Sequence, residues 1–164
     1  MEEALLHGTP LVNAKGETID GGDVGQTGLL ALYFAANWCP DCRAFQPTLN
    51  AFYEQANVST QQLDVVFVSS DMDEEAQLAH FTNKHGAWWM IPRAAEIRNE
   101  LRRKYGIRNG KDDVEVGVTH RNSGIPALVI VRRNGEVLDF QGVQQVERDG
   151  VQALATWQAQ AKDQ

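Results

Sequence analysis

The segment Leu29-Leu30-Ala31-Leu32-Tyr33-Phe34-Ala35-Ala36-Asn37-Trp38-Cys39-Pro40-Asp41-Cys42-Arg43 decides the reading of this 164-residue chain. Its first eight residues are apolar without alternation, which suits a strand buried on both faces. Asn37 to Pro40 break the run, and a helix is expected from about Pro40 to Gln55. Proline suits a first helical position, where its missing N–H would go unpaired anyway. Pro47 lies inside that helix and is expected to kink it. Phe45, Leu49, Phe52 and Tyr53 form its apolar face.

The chain has 2 cysteines, and both fall at this strand-to-helix junction. With Cys39 at the helix N-cap, its sulfur faces unpaired backbone N–H groups and the positive end of the helix dipole, which favour thiolate over thiol. Cys42 lies one turn further in. That asymmetry makes Cys39 the attacking thiol and Cys42 the one that resolves the mixed disulfide. Two alternatives stand beside the redox reading. The cysteines are small enough to be ordinary buried apolar residues. They are also half of a zinc ligand set, with His80 and His85 five residues apart as the remaining candidates.

Outward from this segment, Leu63–Ser69 reads as a second buried strand, followed by a helix over about Glu74–His85 capped by Ser70, Asp71 or Asp73, with Leu78 and Phe81 inward. Trp88-Trp89-Met90-Ile91-Pro92 is an extended connection to a third helix over about Arg93–Tyr105. There Ala94, Ile97, Leu101 and Tyr105 share a stripe, and Arg98, Arg102 and Arg103 lie off it. Gly106–Gly124 reads as a loop with one short exposed strand at Val114, Val116 and Val118. Ala127–Val131 is a third strongly apolar strand. Asn134-Gly135 signals a type I′ hairpin turn into Glu136–Phe140, with Arg132 and Arg133 as solvated turn residues. A last helix spans about Val146–Ala161, with Val151, Leu154 and Trp157 inward. Upstream, Leu11-Val12 and Thr18-Ile19 flank Asn13–Glu17 as a small hairpin within residues 1–28. Strands separated by helical crossovers imply parallel pairs, and the late hairpin adds an antiparallel edge, all within one domain over residues 1–164.

Composition bounds the function. Hydrophobic residues at 43% and charged residues at 23% are ordinary globular usage and exclude wholesale disorder. A formal charge of −7 argues against nucleic acid and anionic membrane as main partners. No apolar run approaches the roughly 20 residues of a membrane span. The acidic start Met1-Glu2-Glu3 is unlike a secretory or transit signal, so a cytoplasmic, reducing setting and a monomer are expected.

Tyr33-Phe34-Ala35-Ala36-Asn37-Trp38-Cys39-Pro40-Asp41-Cys42-Arg43 resembles the active-site segment of the tryparedoxin and nucleoredoxin branch of the thioredoxin superfamily. Val65–Asp71, His85–Pro92 and Ile125–Val131 fall in the order that branch has, and Arg133–Val137 with Arg148-Asp149-Gly150 look especially like nucleoredoxin-like proteins. The resemblance covers about Leu29 to Trp157. It implies a thioredoxin fold, a central mixed β-sheet flanked by helices on both faces, and dithiol–disulfide exchange at Cys39 and Cys42. It implies a cis Pro126, with the Ile125 backbone beside the dithiol to pair with an extended substrate. Trp38 matches an exposed tryptophan before the first cysteine, Pro40 a proline between the cysteines, and Trp88 a tryptophan near the site. The implied partners are disulfide-containing proteins such as peroxiredoxins. The implied electron donor is trypanothione or glutathione for a tryparedoxin and a thioredoxin reductase for a nucleoredoxin. No metal, nucleotide or flavin cofactor is implied. A second reading is a redox-sensing binding module whose dithiol switches partner affinity.

Three departures from the branch stand out. The residues between the cysteines are Pro40 and Asp41, not two prolines. A carboxylate close to a thiol disfavours the thiolate, so Asp41 is expected to make the couple more reducing than Asp41→Pro would, while Arg43 is a cation placed to steady it. Tyr33 stands where ordinary thioredoxins carry a buried acid, which leaves the proton acceptor for Cys42 unassigned. The stretch from about Arg108 to Asn122, including His120, is longer than expected and would border the site as an inserted loop.

Overall fold

A computed structural model describes residues 3–162. Strands β1 (Pro10–Val12) and β2 (Thr18–Asp20) form the N-terminal hairpin. Strand β3 (Leu30–Ala35) leads into helix α1 (Pro40–Ala56), and β4 (Asp64–Ser69) into α2 (Glu74–Lys84). The two-residue β5 (Trp89–Met90) precedes α3 (Ile97–Tyr105), and a single helical turn, α4 (Asp113–Val116), follows. The hairpin β6 (Ala127–Val131) and β7 (Val137–Asp139) and helices α5 (Gly142–Asp149) and α6 (Gln152–Lys162) close the chain.

The seven strands form one sheet in the order β2-β1-β5-β4-β3-β6-β7. β3 lies between β4, its parallel neighbour, and β6, its antiparallel one. All six of its residues are at most 1% exposed, so its unbroken apolar sequence has a direct cause. Ala31, Tyr33 and Ala35 pack with α1, α5 and α6, while Leu30, Leu32 and Phe34 pack with α3 and the N-terminal segment. Covering helices on both faces satisfy the expected architecture. The β3 C-terminus therefore delivers Cys39 to the sheet edge, at the start of a helix whose apolar stripe of Phe45, Leu49, Phe52 and Tyr53 is buried as expected.

The structure corrects several local expectations. In α2, Leu78 is exposed, and Gln77, His80 and Phe81 face inward. The register is set by the Asp73 cap and by polar bonds on the inner face, where the Gln77 amide donates to the Ile91 carbonyl at 2.9 Å. The helix expected from Arg93 begins at Ile97, and Arg98 and Arg102 are buried, not solvated. Their guanidinium groups are satisfied by distant partners, as when Arg98 donates to the Ser69 carbonyl at 2.8 Å. The exposed strand expected at Val114–Val118 is the turn α4, with Val114 exposed and Val118 buried. The last helix is two, broken at Gly150, whose φ of 58° ends α5 and leaves Val151 partly exposed. Only Gly135 has positive φ in the β6–β7 turn, so the Asn134-Gly135 signal does not give a type I′ turn, which needs positive φ at both central residues. Arg132 and Arg133 are not free turn residues. Arg132 donates to Glu136 and to the Ala161 carbonyl, and Arg133 donates to the Gly22 carbonyl.

Candidate active site

Cys39 is the N-cap of α1, with extended backbone angles (φ −89°, ψ 115°), and Pro40 is the first helical residue. The Cys39 Sγ accepts the Cys42 backbone N–H at 3.2 Å, so one otherwise orphaned helix donor points at this sulfur. The same Sγ lies 3.8 Å from the Ile125 carbonyl oxygen. Ile125–Pro126 is cis, as the resemblance implied, and it immediately precedes β6, the antiparallel neighbour of β3, which sets it beside the helix start. Both thiols are free. Cys39 keeps 6% of its surface accessible and Cys42 only 1%.

Burial pushes the Cys42 thiol far above its ordinary range, and its bond with the Cys39 sulfur adds to this. The backbone at Ala36 draws it only partly back, and the Asp41 charge pushes it up again. Asp41 therefore acts on the inner thiol as well as standing beside the outer one. Burial likewise pushes the Tyr33 phenol up, followed by the two cysteines, and its hydroxyl donates to Gln46 Oε1 at 3.0 Å. Tyr33 is thus a neutral buried donor beneath the dithiol.

The other expected site residues divide. Trp38 is half-buried: its indole N–H donates to the Ser70 carbonyl at 2.9 Å, and the Lys111 ammonium lies 4.2 Å from its ring centroid. Arg43 does not face the thiols. Its Nη1 donates to the Asn37 carbonyl at 2.7 Å and so braces the strand-to-helix turn. Trp88 is 1% exposed, which removes it from any substrate surface. It packs edge-on against Tyr33 and Tyr53 and supports the site from below.

Two groups of residues make contacts that the sequence did not show. One is a buried chain behind the active-site turn. Trp88 Nε1 donates to His85 Nδ1 at 3.1 Å, His85 Nε2 lies 3.3 Å from His80 Nε2, and His80 Nδ1 lies 3.0 Å from Asp71 Oδ2. Asp71 also accepts from the Ser69 hydroxyl and, through Oδ1, from the Asn37 backbone N–H. Indole only donates, so the proton positions follow in one direction: His85 carries its proton on Nε2 and His80 on Nδ1. Burial, then the neighbouring His80, holds the His85 pKa well below its usual value. The second group is the Arg108–Asp113 segment, which borders a groove of about 460 Å³ beside Trp38, Cys39 and Ile125. The length of the segment before Pro126 was its signal in the sequence. Among the described residues, no three His, Cys, Asp or Glu side chains are grouped to hold a metal, and no helix is long and apolar enough to cross a membrane.

The thioredoxin-like family matches residues 28–137. Nucleoredoxin-like protein 1 of Mus musculus is 29% identical over 139 residues, covering 82% of this chain and 57% of that protein. Nucleoredoxin of Xenopus laevis is 34% identical over 133 residues, covering 80% of this chain and 27% of that protein. The chain thus spans little more than half of the first of these relatives and about a quarter of the second. Among solved structures, a thioredoxin from Wuchereria bancrofti superposes with a TM-score of 0.75 at 32% identity, covering 95% of this chain and 98% of the other. Tryparedoxin from Trypanosoma brucei superposes with a TM-score of 0.69 at 26% identity, covering 91% of each. A strand-to-helix dithiol, a cis proline set against it and these likenesses agree: this chain belongs to the thioredoxin-like family, within its tryparedoxin and nucleoredoxin branch.

Proposed function

We propose that this chain reduces protein disulfides by dithiol–disulfide exchange. The observation that carries the reading is the Cys39 sulfur. It sits at the start of α1, beside the Ile125 carbonyl, and is the more accessible thiol of the pair. The Cys39 thiolate attacks one sulfur of the substrate disulfide, forms a mixed disulfide and expels the other substrate sulfur as a thiolate. Cys42 then gives up its proton and attacks the Cys39 sulfur, expelling the second substrate thiolate. Two electrons have passed to the substrate, and a Cys39–Cys42 disulfide remains. Forming the mixed disulfide removes the thiol-thiolate bond between the two sulfurs, one of the causes that hold the Cys42 proton in place. Engaging Cys39 therefore loosens the hold on the Cys42 proton, while burial, the larger cause, remains. An external dithiol donor of the trypanothione, glutathione or thioredoxin reductase kind restores the pair. Peroxiredoxins are the class of substrate the branch suggests.

Turnover of insulin disulfides with a dithiol donor tests the reading. The wild type should turn over, Cys39→Ser should be inactive, and Cys42→Ser should accumulate a mixed disulfide. A folded protein with free thiols and no turnover would instead favour the redox-sensing binding module.

A further inference from the structure

The groove beside Cys39 is lined by two arginines, Arg108 and Arg121, and by one carboxylate, Asp113, on a chain whose net charge is −7. Trp38 and Cys39 line it together with Arg108 and Asn109. Arg121 and Ile125 lie at the end where β6 begins. Lys111 joins this rim through its ammonium, 4.2 Å from the Trp38 ring. Asp112 and Asp113 are already paired. Asp112 lies 2.9 Å from Arg102 Nη1, and Asp113 lies 2.6 Å from Arg102 Nη2 and 3.5 Å from Arg108 Nε. Among the described residues, no carboxylate pairs with Lys111 or Arg121, and Asp113 is the only acidic residue lining the groove.

This rim is held in place. The Asp113 carboxylate accepts the backbone N–H groups of Asn109 and Gly110 at 2.8 Å each as well as the two guanidinium groups, and the Asn109 side chain donates to Ser70 and Asp112. Ser70 is the residue whose carbonyl also holds Trp38. Asn109 and the tryptophan beside Cys39 are thus tied to one residue, which fixes the loop that carries Arg108 and Lys111 against the active-site turn.

We propose that this groove makes the enzyme selective for disulfides in an acidic stretch of chain. A carboxylate within about two positions of the attacked cysteine would meet Arg121 and Lys111 as the substrate strand passes Ile125; at about 3.3 Å per residue that reach spans the groove. The proposal rests on the disulfide-reductase reading and names its substrate class. It gives the inserted loop before Pro126 a role in choosing that substrate.

The test uses three disulfide peptides of one length, with Glu, Gln or Lys flanking the cysteines, and dithiothreitol as an uncharged electron donor. At low salt the Glu peptide should exceed the Gln peptide in kcat/KM by about two- to fivefold, the effect of an exposed and screened charge pair. The Lys peptide should fall below both. Raising the ionic strength to about 1 M, where the screening length is about 3 Å, should bring the three together. The double variant Arg121→Glu/Lys111→Glu should favour the Lys peptide; both side chains are exposed, so folding is not at stake. Equal kcat/KM for all three peptides, or an order unchanged in the double variant, would overturn the proposal. No reduction of any peptide would overturn the reductase reading itself, and the proposal with it.

Discussion

Arg102 Nη2 lies 2.6 Å from Asp113 Oδ1, and both side chains are almost wholly withdrawn from solvent. The pair joins α3 to the groove wall beside Cys39, because the same carboxylate holds the Asn109 and Gly110 amides. Removing one member of such a pair leaves an uncompensated buried charge. Arg102→Met should therefore cost about 3–5 kcal/mol in denaturant unfolding. Adding Asp113→Asn to Arg102→Met should recover part of that loss. A pair contributing only as separate residues would instead give additive losses. Arg102→Lys should also destabilise, since an ammonium cannot serve Asp112 and Asp113 together as the planar fork does.

The two thiols should differ in reactivity. Cys42 is almost inaccessible and its thiol is pushed far up, first by burial and then by Cys39. Substoichiometric iodoacetamide on the reduced native protein at neutral pH should modify Cys39 and spare Cys42, as read by peptide mass spectrometry. Because burial is the larger cause, Cys42 should stay unreactive in Cys39→Ser. Equal labelling of both residues in the native state would show that the asymmetry assumed for attack and resolution is absent.

Asp71 offers a sharper test of how the active-site turn is held. Its two oxygens face three donors: the Ser69 hydroxyl, His80 Nδ1–H and the Asn37 N–H. An amide presents one oxygen and one NH2, so Asp71→Asn must set a donor against a donor. Leaving a buried polar group unpaired costs about 1–3 kcal/mol. The variant should lose stability by about that amount and should also lose kcat/KM, since Asn37 lies two residues before Cys39. Wild-type stability in Asp71→Asn would mean that the proton positions assigned along the His80–His85 chain are wrong.

What could be read from the sequence follows from how local each cause is. Strand β3 and the start of α1 were legible because burial on both faces removes alternation, and because proline suits a first helical position. Cys39 and Cys42 were legible as a short motif with a chemical meaning, whereas the cis Pro126 was legible only through the family resemblance. Arg98 and Arg102 were not, because nothing within α3 announces that the Ser69 carbonyl or Asp113 will meet them. A polar stripe looks the same whether water or a distant carbonyl satisfies it. The Gly106–Gly124 segment was read as loose for a related reason. Its order comes from one carboxylate collecting amides and guanidinium groups, which composition cannot show. Trp88 was read as a residue near the site and is a buried support for it, a distinction that depends on Tyr33 and Tyr53 filling the space around its ring.

Acid should destabilise the protein in two separate ranges. His85 ordinarily titrates near 6.5, and burial followed by the neighbouring His80 lowers its pKa in the folded state. Both of its ring nitrogens are engaged, and His80 and Tyr33 are the ionisable side chains packed on the ring. The unfolded chain therefore binds a proton that the folded one refuses. Stability is complete above about 6.5 and falls as the pH drops below it, by at most about 1.4 kcal/mol per pH unit for one proton. Asp113 behaves in a lower range. Burial raises its carboxyl, but the Asn109 and Gly110 amides with Arg102 and Arg108 outweigh that and hold it below its ordinary 3.8. Its contribution is present above about pH 4 and is lost as the pH falls further. Denaturant midpoints measured from pH 7.5 to 3 should therefore decline in two stages. His85→Gln keeps an acceptor for the Trp88 indole but does not titrate, so it should flatten the decline between about pH 6.5 and 5 and leave the lower one. An unchanged slope in that variant would assign the upper stage to another group.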